Sequence, residues 1–382
     1  MTKSSPIMGI VYSDVYLKYD FGPGHPFNPY RYKLFFDLLK HYGLLDKLRH
    51  VEPRMASEEE LKLLHTEDYI NKVRDLSLKG CGMLDSGDTP AFKGMFEASS
   101  YIVGGTLTAI DMVMSGRSEH SFNPGGGHHH ASAGKGAGFC VFNDVAIAAR
   151  YILEKWRAKK VMIIDIDVHH GDGTQWSLYS EPRTLKVDFH ESGMYLYPGT
   201  GFVDEVGEGE GCGFMVNVPL PPRTYDDAYL YAFREIVPVL AEEFKPDVIL
   251  QQCGVDAHFK DPLAHLTLTS KTYDEIASLM HDIAHKTANG KYIMVGGGGY
   301  NVETVAKMWT IMTAKVLGIE LAKTLPREWI EEFRALMGYE PSNSLFDDSA
   351  PYISEGLRRS IMADVEQVVK EVKKRFPQFF YR

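Results

Sequence analysis

Hydrophobic and polar positions along this chain follow two rhythms. Short runs rich in β-branched residues at 7–13, 160–167, 184–190, 247–254 and 292–297 predict strands. The middle ones are almost continuously apolar, the pattern of strands covered on both faces. Longer stretches with helical spacing lie at 94–115, 144–158, 226–243, about 273–288, 303–317, 326–338 and 356–375. The sequence "SEEE" at 57–60 is a capping box ahead of "LKLLH", and Thr224 and Thr272 stand where the N-caps of two later helices are expected. Gly104 and Gly105 interrupt the apolar stretch 94–115; a glycine pair weakens a helix, so it predicts close packing against a neighbour. Strands alternating with helices predict an α/β fold with a mostly parallel central sheet flanked by helices. No repeat, low-complexity segment or linker divides the chain, so residues 1–382 read as a single domain.

Composition changes this picture little. Hydrophobic residues make up 44% and charged residues 24% of the chain, as in ordinary globular proteins. The net charge of −10, with no Lys/Arg-rich block, argues against a nucleic-acid partner. Cys81, Cys140, Cys212 and Cys253 are far apart and form no CxxC, which fits reduced thiols in the cytoplasm. The start, "MTKSSPIMGIVYS", lacks the apolar core of a signal peptide, and no apolar run nears the ~20 residues that span a membrane. A cytoplasmic protein is the expectation.

Chemistry gathers at the expected strand ends. Gly-rich stretches at 82–90, 124–138, 191–213 and 296–299 adjoin strands, and open α/β sheets place their sites in loops at the carboxyl ends of strands. The stretch "IDIDVHHGDGT" begins at Ile164, and strand alternation gives Asp165, Asp167 and His169 one parity. Asp167 and His169 can therefore reach a common point just past the strand, as carboxylate and imidazole ligands of a metal do. An isolated Asp–x–His is also a polar strand end with a capping carboxylate. Three further segments favour a shared cleft: "CGVD" delivers Asp256, "PGGGHHHASAGKGAGFC" supplies histidines, and "GGGGY" places Tyr300. Each alone also reads as a turn or solvated loop.

Together these residues resemble the zinc-dependent histone deacetylase superfamily, near its prokaryotic acetoin-utilisation branch and its class I enzymes. Seven segments match in order over about residues 8–320: "YDFGPGHPFNPYR", "HTEDYI", "GGGHHH…GFCVFND", "IDIDVHHGDGTQ", "YPGTG", "CGVDAH…DPL" and "GGGGYN". Residues of about 321–382 then form a C-terminal helical extension to that core. The resemblance implies an arginase-like fold with an eight-stranded parallel sheet. It implies Asp167, His169 and Asp256 as zinc ligands, and His129 and His130 as the tandem catalytic histidines, backed by Asp165 and Asp172. It implies Tyr300 as the residue facing the substrate carbonyl, and it gives His128 no role. Gly138, Phe139 and Tyr197 correspond to the wall of an acyl-lysine tunnel, where the family usually has Phe in place of Tyr197. Asp88 and Leu263 correspond to rim residues, and Arg31 to an inner pocket that receives acetate. The family also carries a structural potassium ion; Asp165 and Asp188 correspond to that site, Asp188 standing where a serine is usual.

The expected activity is hydrolytic removal of acetyl or other acyl groups from lysine side chains of proteins or from related amines. Acetylpolyamines and small amides stay open as substrates. A binuclear manganese ureohydrolase is the alternative from the same fold, although "GVD" lacks the second aspartate such sites use. A non-catalytic acyl-lysine binder is the alternative from another class.

Overall fold

The computed structural model describes residues 8–381, so residues 1–7, which include the first position of the expected strand 7–13, lie outside the described residues. Among the described residues one sheet is built from β1 (Met8–Val11), β2 (Leu48–Val51), β3 (His120–Asn123), β4 (Val161–Asp165), β5 (Thr184–Glu191), β6 (Met215–Leu220), β7 (Val248–Gln252) and β8 (Tyr292–Val295). All pairings are parallel, in the order β2-β1-β3-β8-β7-β4-β5-β6. The helices are α1 (Tyr30–His41), α2 (Glu58–Leu61), α3 (Glu67–Lys79), α4 (Met95–Met114), α5 (Asp144–Glu154), α6 (Asp172–Ser177), α7 (Asp226–Phe244), α8 (Ser270–Thr287), α9 (Val302–Val316), α10 (Arg327–Met337), α11 (Glu355–Arg375) and α12 (Pro377–Phe380). This is the eight-stranded parallel α/β architecture that the resemblance implies.

Alternation along β3 separates the two helical layers. Ser121 Oγ donates to the Ala109 carbonyl at 2.9 Å and Asn123 Nδ2 to that of Ile102 at 3.3 Å, so this face meets α4. Phe122, of opposite parity, packs edge-on against Trp309 of α9, with ring centroids 5.7 Å apart. On that second face α1, α9, α8 and α7 pack side by side, and α11 packs against α7 and β6. The close packing expected at Gly104 and Gly105 has a visible cause: a methyl group there would lie 1.9 Å from the Arg54 carbonyl oxygen and 2.0 Å from the Tyr16 hydroxyl.

Three strands and two long helices fall outside the sequence expectation. β2 and β3 are four residues long, and "HSFN" in β3 is polar because Ser121 and Asn123 find buried partners, which hides the apolar signal. β6 carries Pro219 and lies at the sheet edge, where the missing N–H costs least. In α1 and α3 the helical spacing is present but sits beside the motif-bearing segments "FNPYR" and "HTEDYI". The Ser57 capping box forms as expected. The caps at Thr224 and Thr272 do not: α7 starts after Tyr225, and α8 is capped by Thr269, whose hydroxyl accepts from Lys271 N at 3.3 Å. Thr224 instead bonds the Pro221 carbonyl, and Thr272 donates to Asp226 within the first turn of α8.

Register sets up the site. Asn217, Asp188, Asp165, Gln252, Val295 and Asn123 are successive partners across six strands, the last four at the carboxyl ends of their strands. In a parallel sheet, residues in register share a face, so this row is largely polar where most of the sheet is apolar. No helix among the described residues is long and apolar enough to cross a membrane.

Candidate active site

The loops leaving β3, β8, β7 and β4, four neighbouring strands, converge beyond the carboxyl edge of the sheet. They bring Asp167, His169 and Asp256 together, each buried, with one ligand atom from each within 4.8 Å of the others. His169 Nδ1 lies 3.0 Å from Asp256 Oδ2 and 3.2 Å from Asp167 Oδ1. Backbone and side-chain donors fix the carboxylates from behind. Gln252 Nε2 donates to Asp167 Oδ2 at 2.7 Å, Gly298 N to the same oxygen at 2.6 Å, and Val168 N to Asp256 Oδ1 at 2.9 Å. The glycines leave room for this: a methyl group on Gly298 would lie 1.9 Å from Asp256 Oδ2, and one on Gly254 2.3 Å from Asp167 Oδ2.

The donor set fits a zinc-like divalent cation. Two carboxylates and an imidazole are a common oxygen and nitrogen ligand combination for zinc. Electrostatics point the same way. Burial first, and then the charge of Asp167, push the Asp256 carboxyl up to about 7. Two ionised carboxylates this deep repel each other unless a cation lies between them.

Beside this cluster stand the tandem histidines. His129 Nδ1 is 2.9 Å from Asp165 Oδ2, His130 Nδ1 is 2.7 Å from Asp172 Oδ1, and the two Nε2 atoms are 3.1 Å apart. With each Nδ1–H directed at a carboxylate, the facing Nε2 atoms share a proton. Burial opposes protonation of His129, but Asp165 and Asp167 outweigh it and raise its pKa to about 9. His130 goes the other way, down to about 4, through burial and then the charge of His129. His128 points elsewhere: its ring packs edge-on against Tyr19 and lines an inner pocket.

Two pockets meet at the cluster. The outer one is lined by Asp88, His130, Gly138, Phe139, His169, Leu196, Tyr197, Leu263 and Tyr300. The inner one, much narrower, shares His130, Gly138, Phe139 and Tyr300 and continues to Phe27, His128 and Arg31. Phe139 adopts a left-handed backbone, φ 64°, unusual for an aromatic residue. Tyr19 Oη donates to its carbonyl at 2.7 Å and its N–H reaches Thr89 Oγ1 at 3.1 Å, which holds that conformation. Tyr197 is 42% exposed and its ring centroid lies 5.1 Å from that of His130, so it forms a mouth rather than a buried wall. Arg31 stacks over Phe27 at 4.2 Å and donates Nη1 to the Gly299 carbonyl, while its buried Nε has no partner. The backbone N–H of Tyr300 donates to Asp261 at 2.7 Å. Burial, followed by the charges of Asp256 and Asp167, keeps the Tyr300 phenol protonated well above its ordinary range.

Asp188 departs from the cation site the resemblance implies. Lys186, two residues earlier on β5 and equally buried, directs its ammonium to Asp188 Oδ2, which also accepts from Gly171 N at 3.0 Å. Asp188 Oδ1 faces His190 Nδ1 at 2.6 Å. A methyl group on Gly171 would lie 2.6 Å from Asp165 Oδ2, 2.9 Å from His129 Nδ1 and 3.2 Å from Lys186 Nζ, so the ammonium and the Asp165–His129 pair border the same glycine. These residues do not fit a potassium ion at Asp188, because both its oxygens are engaged and a positive charge is already there.

Gln252, Asp261 and Lys186 were not singled out from the sequence. Gln252 shares the register row of Asp165, and Lys186, alternating with apolar residues, falls on the same face of β5 as Asp188 and His190, so register and strand parity are the signals that mark them.

A family model described as histone deacetylase domain matches residues 25–316. The acetoin utilization protein AcuC of Bacillus subtilis (strain 168) is 45% identical over 335 residues, covering 85% of this chain and 86% of that protein. The protein of the same name from Staphylococcus xylosus is 38% identical over 371 residues, covering 94% and 96%. That from Staphylococcus aureus (strain MSSA476) is 40% identical over 344 residues, covering 87% and 88%.

Proposed function

The chain belongs to the histone deacetylase family, and from that premise we propose that it is a zinc-dependent amidohydrolase that removes acetyl or acyl groups from lysine side chains or related amines. One observation carries the reading: the Asp167–His169–Asp256 cluster, both His–Asp pairs and Tyr300 surround the junction of two pockets. The whole chain, residues 1–382, is proposed to act as one domain, with the C-terminal helices packed on the core.

Asp167, His169 and Asp256 would hold the metal. When bound, Zn²⁺ supplies polarisation of the amide carbonyl and acidification of water. His130, neutral and oriented by Asp172, takes the proton from water and passes it to the leaving amine. His129, charged and fixed by Asp165, supports the negative charge that develops nearby. Tyr300 donates its hydroxyl hydrogen to the carbonyl oxygen. Phe139 and Tyr197 enclose the apolar stem of an acyl-lysine, with Asp88 and Leu263 at the rim. The unpartnered Nε of buried Arg31 suits a carboxylate product in the inner pocket.

The binuclear manganese reading finds less support. Asp165 is paired with His129 and Asp261 with the Tyr300 backbone, so neither carboxylate is free to bridge a second ion, and position 255 is Val.

Kinetics on an acetyl-lysine peptide, run beside an acetylpolyamine, test the assignment. His130→Ala should lose at least ~10²-fold in kcat and keep its zinc, the usual scale for a general acid–base. His129→Ala should be milder and move the acid limb of the pH profile to higher pH, since removing its charge lets the His130 pKa rise. Equal rates in wild type and His130→Ala would remove His130 from the mechanism.

Lys186 yields a second expectation. Its ammonium already supplies a positive charge at Asp188, so turnover should be the same in potassium and in a bulky organic cation. Lys186→Met should destabilise the fold by about 3–5 kcal/mol, the range for leaving one partner of a buried ion pair uncompensated. Thermal melts measure the second effect. A potassium requirement in the wild type would contradict the first.

A further inference from the structure

The row of histidines on α8 offers a feature that the cleft does not use. His281 and His285 are one turn apart and share a face of the helix. That face meets His120, the first residue of β3, at the amino edge of the sheet, opposite the candidate active site. The ring centroid of His120 lies 5.0 Å from that of His281 and 5.1 Å from that of His285, and those two are 4.6 Å apart. His281 Nε2 is 3.1 Å from His285 Nε2, and one nitrogen from each of the three rings lies within 4.8 Å of the others.

His120 is the unusual member. It is fully buried, yet neither ring nitrogen makes a hydrogen bond of normal geometry; the Gly290 backbone is near enough only to favour its charged form weakly. Buried polar groups are nearly always paired, so an imidazole with two unused nitrogens calls for a partner that the polypeptide does not supply. A neutral imidazole offers one ring nitrogen lone pair to a metal, and here no polypeptide group occupies it. We infer that His120, His281 and His285 form a second metal site, which takes a divalent transition ion of the zinc class through three imidazole nitrogens.

The geometry needs little change to bind. Zn–N bonds of about 2.0–2.1 Å in a tetrahedron put neighbouring nitrogens about 3.3 Å apart, close to the 3.1 Å between His281 and His285. His120 closes the remaining distance by a small ring movement. Nitrogen donors select zinc, nickel, cobalt or copper over magnesium and calcium, which prefer oxygen. His285 is exposed and His281 half-buried, so an ion enters from solvent and keeps an open position for water. Gly290 closes the opposite side: with φ 77°, its added methyl group would lie 3.1 Å from the His285 ring. An ion held here ties α8 to β3 and acts as a structural staple, independent of how the cleft is read.

The test uses the full-length protein and Zn²⁺ alone. After equilibrium dialysis against micromolar Zn²⁺, the wild type should hold one more ion per chain than His281→Ala/His285→Ala, with kcat on an acetyl-lysine peptide unchanged. This difference stands whether or not the cleft itself holds zinc, so failure of one assignment does not disguise failure of the other. His120→Leu adds a second readout. It replaces the unpaired imidazole with an apolar side chain, so the fold should persist, and the Zn²⁺-induced rise in melting temperature seen for the wild type should shrink. Equal ion counts in wild type and double variant, or an undiminished melting shift in His120→Leu, would overturn the site.

Discussion

Asp256→Asn should fold normally, hold no metal in the cleft and turn over no acetyl-lysine peptide. The substitution is close to isosteric. Its amide oxygen can keep accepting from Val168 N, where the carboxylate now accepts at 2.9 Å. Its amide nitrogen then replaces the oxygen that faces His169 Nδ1 at 3.0 Å, and that oxygen is the proposed ligand atom. One ligand and one negative charge are lost together, and both set metal affinity. Asp167→Asn is the less clean change. Asp167 accepts from Gln252 Nε2, Gly298 N and His169 N, so an amide nitrogen on either side meets another donor. Metal analysis, circular dichroism and a rate assay on Asp256→Asn separate loss of metal from loss of fold. Wild-type turnover with the cleft metal retained would take Asp256 out of the ligand set.

Tyr300→Phe should lose ~10²–10³ in kcat, or about 2.7–4 kcal/mol, the cost of deleting one oxyanion donor. The proposed donation draws support from the position of Tyr300 in the lining of both pockets. Gly297 and Gly299, with φ 146° and 142°, carry the backbone around the cluster in conformations only glycine adopts readily. Arg31 fixes the Gly299 carbonyl and Asp261 fixes the Tyr300 N–H, at 3.0 and 2.7 Å, so the ring sits on a backbone held from both sides. The phenol stays protonated next to buried carboxylates and so remains a donor. Because the carbonyl oxygen gains charge only as the reaction proceeds, the loss should appear in kcat far more than in KM. Melting temperature and metal content should match the wild type. A kcat within about threefold of wild type would return Tyr300 to a packing role, since one donor is worth much more than that.

The sequence made the strand-end chemistry legible because a parallel strand buried on both faces is apolar until its last residues. Asp165, Asp167 and Asp256 therefore stand out at once. The tandem histidines needed a motif, since three adjacent histidines cannot be ranked by spacing. Elements whose polar residues find buried partners were harder to see. β3 reads as "HSFN", yet all four residues are buried, and its Asn123 bonds Tyr16 and Thr106. Lys186 was obscured for a related reason: a lysine in a strand suggests solvent, and only the register with β4, which pairs Lys186 with Ile163 and Asp188 with Asp165, puts it on the same face of the sheet as Asp165. His120, His281 and His285 are far apart in sequence, and the i,i+4 pair on α8 gains meaning only when β3 lies against it.

Deacetylation by this chain is proposed to depend on a zinc ion held in the cleft between Asp167, His169 and Asp256. Acetate release from an acetyl-lysine peptide tests it most directly, measured on chelator-stripped His281→Ala/His285→Ala protein during stepwise return of Zn²⁺. Turnover should be absent in the stripped protein, rise in proportion to added Zn²⁺ and level off at one ion per chain. Full turnover by stripped protein, or none at any Zn²⁺ loading, would contradict the account.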